Sequence, residues 1–238
     1  MKHEACVIVF ARAPVAGHVK TRLGSILEQS QVLNLYKCFV HDLLSKLDLA
    51  DLHPMIFFHP PGARQMMVDW LGDEFSYVAQ HGADLGERMA NAFSEAFRSG
   101  MNRAVLMGSD LPDLPGEIIT DAFSGLDTHD AVIGPATDGG YYLIGFRKDT
   151  FLPAVFMDIP WGSDMVYEKS IEIFEKYGKR VIDMPKWRDI DTYEDLLDFI
   201  RTHRDTGTHA PKTVAFLEKT GLVRKGIEHA SRKISKNV

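Results

Sequence analysis

Cysteine is nearly missing from this 238-residue chain, which has only Cys6 and Cys38. Both fall in apolar runs, one strand-like and one helix-like, so they read as buried, reduced thiols, and a disulfide framework is excluded. No CxxC, HxxxH or HxH spacing occurs despite ten histidines, which argues against a zinc site. No apolar run approaches the roughly 18 residues that a membrane helix needs. The first such run, Ala5–Ala11, meets Arg12 with no leader-cleavage pattern behind it. The expectation is a cytoplasmic protein with no membrane partner. GxxxxGK[ST], GxGxxG and GxSxG are missing as well, which removes P-loop, dinucleotide-fold and α/β-hydrolase chemistry.

Positive charge is scarce over most of the length. Of 27 Lys or Arg and 33 Asp or Glu, residues 201–238 hold nine and three, leaving 18 against 30 before them, or +6 in the tail and −12 in the body. An acidic body argues against duplex nucleic acid, whose binding is dominated by phosphate neutralisation. With 45% hydrophobic and 25% charged residues, composition is that of an ordinary globular protein. We expect one domain over 1–202 and a basic extension over 203–238, a packed helix or a partly ordered tail, with a hinge at His203–Lys212 and a helical pattern at Thr213–Leu222.

Apolar, β-branched or aromatic runs recur at Ala5–Ala11, Met55–His59, Phe75–Ala79, Ala104–Met107 and Ala131–Gly134. They alternate with amphipathic stretches at Gln31–Leu47, Ala63–Leu71, Leu85–Phe97 and Gly116–Phe123, the rhythm of βαβ units on a mainly parallel sheet. Tyr141–Phe146 follows its predecessor after a turn too short for a right-handed crossover, so it should add an antiparallel strand. Ser163–Tyr177 reads as a helix, Arg180–Met184 as a strand, and Thr192–Ile200 as a helix opened by Thr192 and Asp195 in an acidic capping box. The fold class is α/β, three layers with a mixed sheet. In such sheets ligands gather at the carboxyl ends of strands.

The loop after the first strand is Phe10-Ala-Arg-Ala-Pro-Val-Ala-Gly-His-Val-Lys-Thr-Arg-Leu23. Gly17 lets backbone amides approach an anion, while Arg12, Lys20 and Arg22 offer charge-assisted hydrogen bonds to phosphate. The alternative is a surface loop with solvated cations.

Asp110, directly off the strand Ala104–Met107, is placed to ligate a hard cation bridging phosphates. Asp113 reads instead as a cap for the next helix. Asp189 and Asp191 precede the last helix of the body, where capping alone would account for one of them. If Asp110 and Asp191 meet within about 4–6 Å they require a cation, and oxygen ligands favour Mg²⁺ or Mn²⁺. Asp138, in Gly134-Pro-Ala-Thr-Asp-Gly-Gly140, is either a site carboxylate or an ordinary Asp-Gly turn. Tyr141, Tyr142, Trp161 and Asp164 are candidates for an acceptor pocket, or plain core and rim residues.

The segments FARAPVAGHVKTRL, QHGADLGERM, LMGSDLPDL, IGPATDGGYYLIGF, IPWGSDMVYE and RDIDTYEDL together resemble the glycosyltransferase-A-type nucleotide-diphospho-sugar transferase superfamily. Within it they are similar to small bacterial transferases associated with radical-SAM and selenocysteine-domain proteins, some assigned to arsenosugar biosynthesis. The resemblance covers residues 5 to about 200 and implies the Rossmann-like fold of that superfamily. It places Ala11, Arg12, Gly17, Lys20 and Arg22 in the nucleotide signature, with Lys20 on phosphate, and Gly86 and Arg88 by the base or ribose. Asp110 falls at the metal aspartate, and Asp191 resembles the second metal aspartate of sugar-acid cytidylyltransferases. The usual loop has two glycines ahead of an arginine. Here Arg12 comes first and only Gly17 follows, and the Lys-Thr-Arg-Leu ending is similar to the phospholactate guanylyltransferase loop.

Two enzymatic readings remain open. One is glycosyl transfer from a nucleotide-diphospho-sugar to a small-molecule acceptor, with Lys20 and Asp110 on the donor and Asp138 or Asp164 toward the acceptor. The other is nucleotidyl transfer from a nucleoside triphosphate with loss of pyrophosphate. A degenerate, non-catalytic nucleotide binder is the third possibility.

Overall fold

The structure is a computed structural model that describes residues 4–203 and 209–222. The chain forms two compact units. One runs to Ala13 and takes up Lys46–Ser109 and Pro115–Arg188; the other comprises Pro14–Ser45, Asp110–Leu114 and the residues from Asp189 onward.

The first unit carries the whole sheet: β1 Ala5–Arg12, β2 Pro54–His59, β3 Ser76–Ala79, β4 Arg103–Gly108, β5 Ala131–Pro135, β6 Tyr141–Arg147 and β7 Val181–Asp183. Their spatial order is β3-β2-β1-β4-β6-β5-β7. All neighbours are parallel except β6, which runs antiparallel to both β4 and β5, as its short connection requires. The sheet is therefore mixed and mainly parallel.

Period-two alternation sends the two sets of side chains to opposite faces. Cys6, Ile8, Met55, Phe57, Ala104, Leu106, Ala131, Ile144 and Phe146 share one core with α3 (Leu85–Arg98), which contributes Met89, Phe93 and Phe97 at helical spacing. The Phe93 ring meets Phe146 edge-on at 5.1 Å. Val132, one residue out of phase with Ala131, lies against α4 (Gly116–Gly125): a Cβ on Gly125 would stand 3.0 Å from both Val132 and Ile182. Helices thus cover both faces. The helix α2 (Arg64–Leu71) follows a short 3₁₀ turn at Pro61–Ala63, and α5 spans Val166–Lys176. The latter starts three residues later than the pattern suggested, because Gly162 at φ +88° and the turn after it, with Met165 N–H on Ser163 Oγ, keep the chain from winding.

The second unit is helical. It includes most of α1 (Gln29–Leu49), a 3₁₀ turn at Leu23–Ser25, α6 (Tyr193–Thr202) and α7 (Pro211–Lys219). Val32, Leu35 and Phe39 of α1 pack with Leu196, Leu197 and Ile200 of α6, Leu217 of α7, and Leu23. Thr192 caps α6 with its hydroxyl on Asp195 N–H, and Asp195 returns the bond, so the capping box forms. The side chain of Asp42, 1% exposed, caps α7 from α1: it accepts from Lys212 N–H (2.9 Å), Thr213 N–H (2.8 Å) and Thr213 Oγ1 (2.7 Å), where Ala210 at the cap position has no side-chain bond of its own. Residues on both sides of position 203 therefore belong to this unit. Of the expected basic extension and its hinge, residues 204–208 and 223–238 lie outside the described residues. No helix among the described residues is long and apolar enough to cross a membrane.

Candidate functional site

Lys20, Asp110 and Asp191 all belong to the second unit, and they meet there. Lys20 is flanked by Val19 and Leu23, 2% and 0% exposed, which anchor its loop; the N–H groups of Leu23 and Gly24 both donate to the Lys20 carbonyl. Its backbone is left-handed at φ +46°, a conformation that costs a non-glycine residue about 1–2 kcal/mol and is held only by such surroundings. Its ammonium lies 2.7 Å from Asp110 Oδ2 and 3.3 Å from Asp191 Oδ1, with the side chain 4% exposed.

Asp110 sits two residues beyond β4, and its carbonyl accepts the Ile190 N–H, tying its segment to the one that carries Asp191. Because Thr192 and Asp195 do the capping, the Asp191 carboxylate is left for Lys20 and for Arg22 Nη1, which binds Asp191 Oδ2 at 2.7 Å. The second carboxylate that capping could not explain thus has an ionic use. Burial alone would lower the Lys20 pKa, but Asp110, Asp191 and Asp189 outweigh it and hold the ammonium above its ordinary value.

Asp110 Oδ1 is buried and has no hydrogen-bond partner among the described residues. A buried, unpaired carboxylate oxygen beside a second carboxylate is the donor set of a hard cation. Among the described residues no three His, Cys, Asp or Glu side chains group to hold a metal. Such an ion would have to complete its shell with water and substrate oxygens, as Mg²⁺ and Mn²⁺ habitually do. The cap residue of α4 is Pro115, two residues after Asp113. The turn closed by Leu114 N–H on the Leu111 carbonyl carries Asp113 inward, where it is 5% exposed and 3.5 Å from His203 Nε2.

The remaining candidates of the loop differ in setting. Gly17, at φ +77°, makes the turn, and Arg22 is 72% exposed. Ala11 is buried in β1 and Arg12 is exposed at its end, both in the first unit.

The other candidates also belong to the first unit. A Cβ on Gly86 would lie 2.1 Å from the Phe156 carbonyl and 2.8 Å from Trp161 Nε1, so protein packing already demands glycine there. Arg88 Nε donates to the Gly82 carbonyl at 3.3 Å. Trp161 stands edge-on to Tyr141 with ring centroids 6.2 Å apart, and burial raises the Tyr141 pKa, keeping its hydroxyl neutral. Asp138 Oδ1 accepts the Gly140 N–H at 3.0 Å, the geometry of an Asp-Gly turn. Gly139, at φ +90°, lies so close to Asp164 that a Cβ would stand 2.1 Å from its carbonyl, and Tyr167 N–H donates to the Gly139 carbonyl at 2.9 Å. These contacts bring the loops of Asp138 and Asp164 together. Tyr142 is turned into the protein by β6: it is 6% exposed, and its hydroxyl donates to the Pro185 carbonyl.

Sequence reasoning missed His59. It ends β2 in register with Arg12, and its Nδ1 is buried without a partner among the described residues. Burial, Arg88 and Arg12 all push its pKa below the usual value. A lone histidine at a strand end gives no signal of such neighbours.

The family model for "Uncharacterized protein conserved in bacteria (DUF2064)" matches residues 43–163. A candidate nucleotide-diphospho-sugar transferase from Desulfovibrio desulfuricans G20 is 41% identical over 94% of this chain and 98% of its own, with a TM-score of 0.89. This chain belongs to the DUF2064 family. It also shares its fold with the inositol-1-phosphate CTP transferase of T. maritima, at 15% identity over 91% and 98% of the two chains and TM-score 0.53. A third structure, Rv0371c of Mycobacterium tuberculosis H37Rv in complex with manganese, is 13% identical over 85% and 100%, with TM-score 0.52. No curated protein matches by sequence. The chain has the fold of nucleotide-diphospho-sugar transferases and cytidylyltransferases.

Proposed function

We propose that this protein is a transferase that uses a nucleotide-activated donor and a divalent metal, and that the reaction is glycosyl transfer from a nucleotide-diphospho-sugar to a small-molecule acceptor. The observation that carries the reading is the meeting of Lys20, Asp110 and Asp191, with Asp110 Oδ1 buried and unpaired. Asp110 and Asp191 would hold Mg²⁺ or Mn²⁺. When bound, such an ion stabilises negative charge on a diphosphate leaving group.

Lys20 and Arg22 supply cations for the same phosphates, and the ion pairs of Lys20 with Asp110 and Asp191 hold its ammonium in place. Ala11, Arg12, Gly17, Gly86 and Arg88 are assigned to the nucleotide. The acceptor oxygen forms its bond to the anomeric carbon as the bond to the nucleoside diphosphate breaks. Its proton passes to an acceptor-side carboxylate, for which we assign Asp138, with Asp164 beside it and Tyr141 and Trp161 as the apolar wall. The relative named as a candidate nucleotide-diphospho-sugar transferase supports this reading, as does the resemblance to radical-SAM-associated transferases.

A second reading, nucleotidyl transfer, draws on the exposed Arg22 beside Lys20, a pair of cations suited to a triphosphate. Thermal unfolding with nucleoside triphosphates and nucleotide sugars, each with Mg²⁺, Mn²⁺ or EDTA, tests the common core: stabilisation should need the metal, and equal shifts in EDTA would refute it. Release of nucleoside diphosphate then supports glycosyl transfer, and release of pyrophosphate supports the alternative.

A further inference from the structure

The two aspartates proposed for the metal already have cations of their own. Lys20 Nζ engages Asp110 Oδ2 at 2.7 Å and Asp191 Oδ1 at 3.3 Å, and Arg22 Nη1 engages Asp191 Oδ2 at 2.7 Å. Three of the four carboxylate oxygens are thereby occupied, and the fourth, Asp110 Oδ1, is the buried one without a partner among the described residues.

The two carboxylates of the ion-paired set balance one ammonium and one guanidinium, so their charges sum to zero. A divalent ion added to this set leaves an excess of positive charge around an ammonium that is 4% exposed, where charge is poorly solvated. The ion also needs carboxylate oxygens at about 2.0–2.2 Å, which the ammonium now contacts. Both obstacles vanish if phosphate arrives with the ion, because phosphate oxygens supply negative charge and new acceptors for Lys20 and Arg22.

We propose that Lys20 and Arg22 are resident counter-ions that bar the free metal, so that the site accepts a divalent ion only as its chelate with nucleotide phosphate, the two side chains passing from carboxylate to phosphate as it enters. The inference rests on the function proposed above and adds an order to it: metal and nucleotide enter together.

Equilibrium dialysis of Mn²⁺ against the full chain tests this, without nucleotide and with CTP, GTP, UTP, ATP or UDP-glucose in turn. The wild type should retain Mn²⁺ at the protein only when one of these nucleotides is present. Lys20→Met should bind Mn²⁺ alone about tenfold or more tightly than the wild type does, and Mn²⁺ alone should raise its Tm while leaving the wild-type Tm unchanged. Should Lys20→Met fail to fold, Arg22→Gln, altered at an exposed side chain, should show the same change at roughly threefold. Wild-type protein that binds Mn²⁺ alone as tightly as these variants overturns the inference and leaves the metal site standing. If wild type and variants retain no Mn²⁺ under any condition, and Asp110→Asn changes nothing, the functional reading itself falls.

Discussion

Replacing Asp42 with alanine should release α7 from the rest of its unit. The Asp42 carboxylate is 1% exposed and accepts from two backbone N–H groups in the first turn of α7 and from the Thr213 hydroxyl, at 2.7–2.9 Å. Hydrogen bonds to a charged group are each worth about 1.5–3 kcal/mol net, and bonds that share one carboxylate are not additive. The carboxylate also complements the positive end of the helix dipole, for up to about 1 kcal/mol more. Against this stands the desolvation of a buried charge, which alanine removes. The balance predicts a loss of about 3–4 kcal/mol for Asp42→Ala, or a hundredfold or greater rise in the population with α7 detached. Asp42→Asn should cost about half as much, since one carbonyl oxygen can still accept from the helix N–H groups. Two measurements read this: the urea midpoint, and the rate at which trypsin cuts after Lys212 and Lys219, both in α7. A midpoint shift below about 1 kcal/mol, with cleavage as slow as in the wild type, would show that packing of Leu217 and its neighbours holds α7 and that the cap is incidental.

His59 and Gly139 offer independent tests. The His59 pKa lies below its ordinary 6.5, so the folded state binds this proton less readily than the unfolded chain; its contribution to stability is present above pH 6.5 and is lost as pH falls through the folded value. Wild-type Tm should therefore drop more steeply than that of His59→Gln between about pH 7 and pH 5, and parallel profiles would refute the assignment. Gly139→Ala combines a φ of +90° with a Cβ placed 2.1 Å from the Asp164 carbonyl. It should lower stability by about 2–4 kcal/mol in chemical denaturation, and a loss under about 1 kcal/mol would mean that the two loops are not pinned there.

Local signals carried much of the fold. The strands at Ala5–Arg12 and Arg103–Gly108 were legible because both are continuous apolar runs, and β6 was read as antiparallel from the length of its connection alone. The Thr192 and Asp195 box was legible because a cap is local in sequence. What could not be read depends on partners distant in the chain. Asp113 sits in the right place for a helix cap, and its contact with His203, 90 positions away, has no local signal. Tyr142 alternates with Tyr141, and both pack inward, on opposite faces of a sheet whose helical layers come from distant parts of the chain. The cap of α7 comes from α1 and leaves no mark near Pro211. At the candidate site the sequence offered Lys20, Asp110 and Asp191 as phosphate and metal candidates, and the structure brings the three together. Their mutual ion pairing was not legible, because spacing does not reveal that a loop cation and a distant aspartate share one position.

The bond from Lys20 to Asp191 joins residues 171 positions apart. During synthesis at about 5–20 residues per second, the lysine loop is therefore made roughly ten to thirty seconds before its second aspartate exists. A nascent chain longer than 110 residues but shorter than 191 carries Lys20, Arg22 and Asp110 without Asp191, and so only part of the ion-pair cluster. Arg22 in such a chain lacks the carboxylate it binds in the folded protein, so this corner of the second unit closes only late in synthesis.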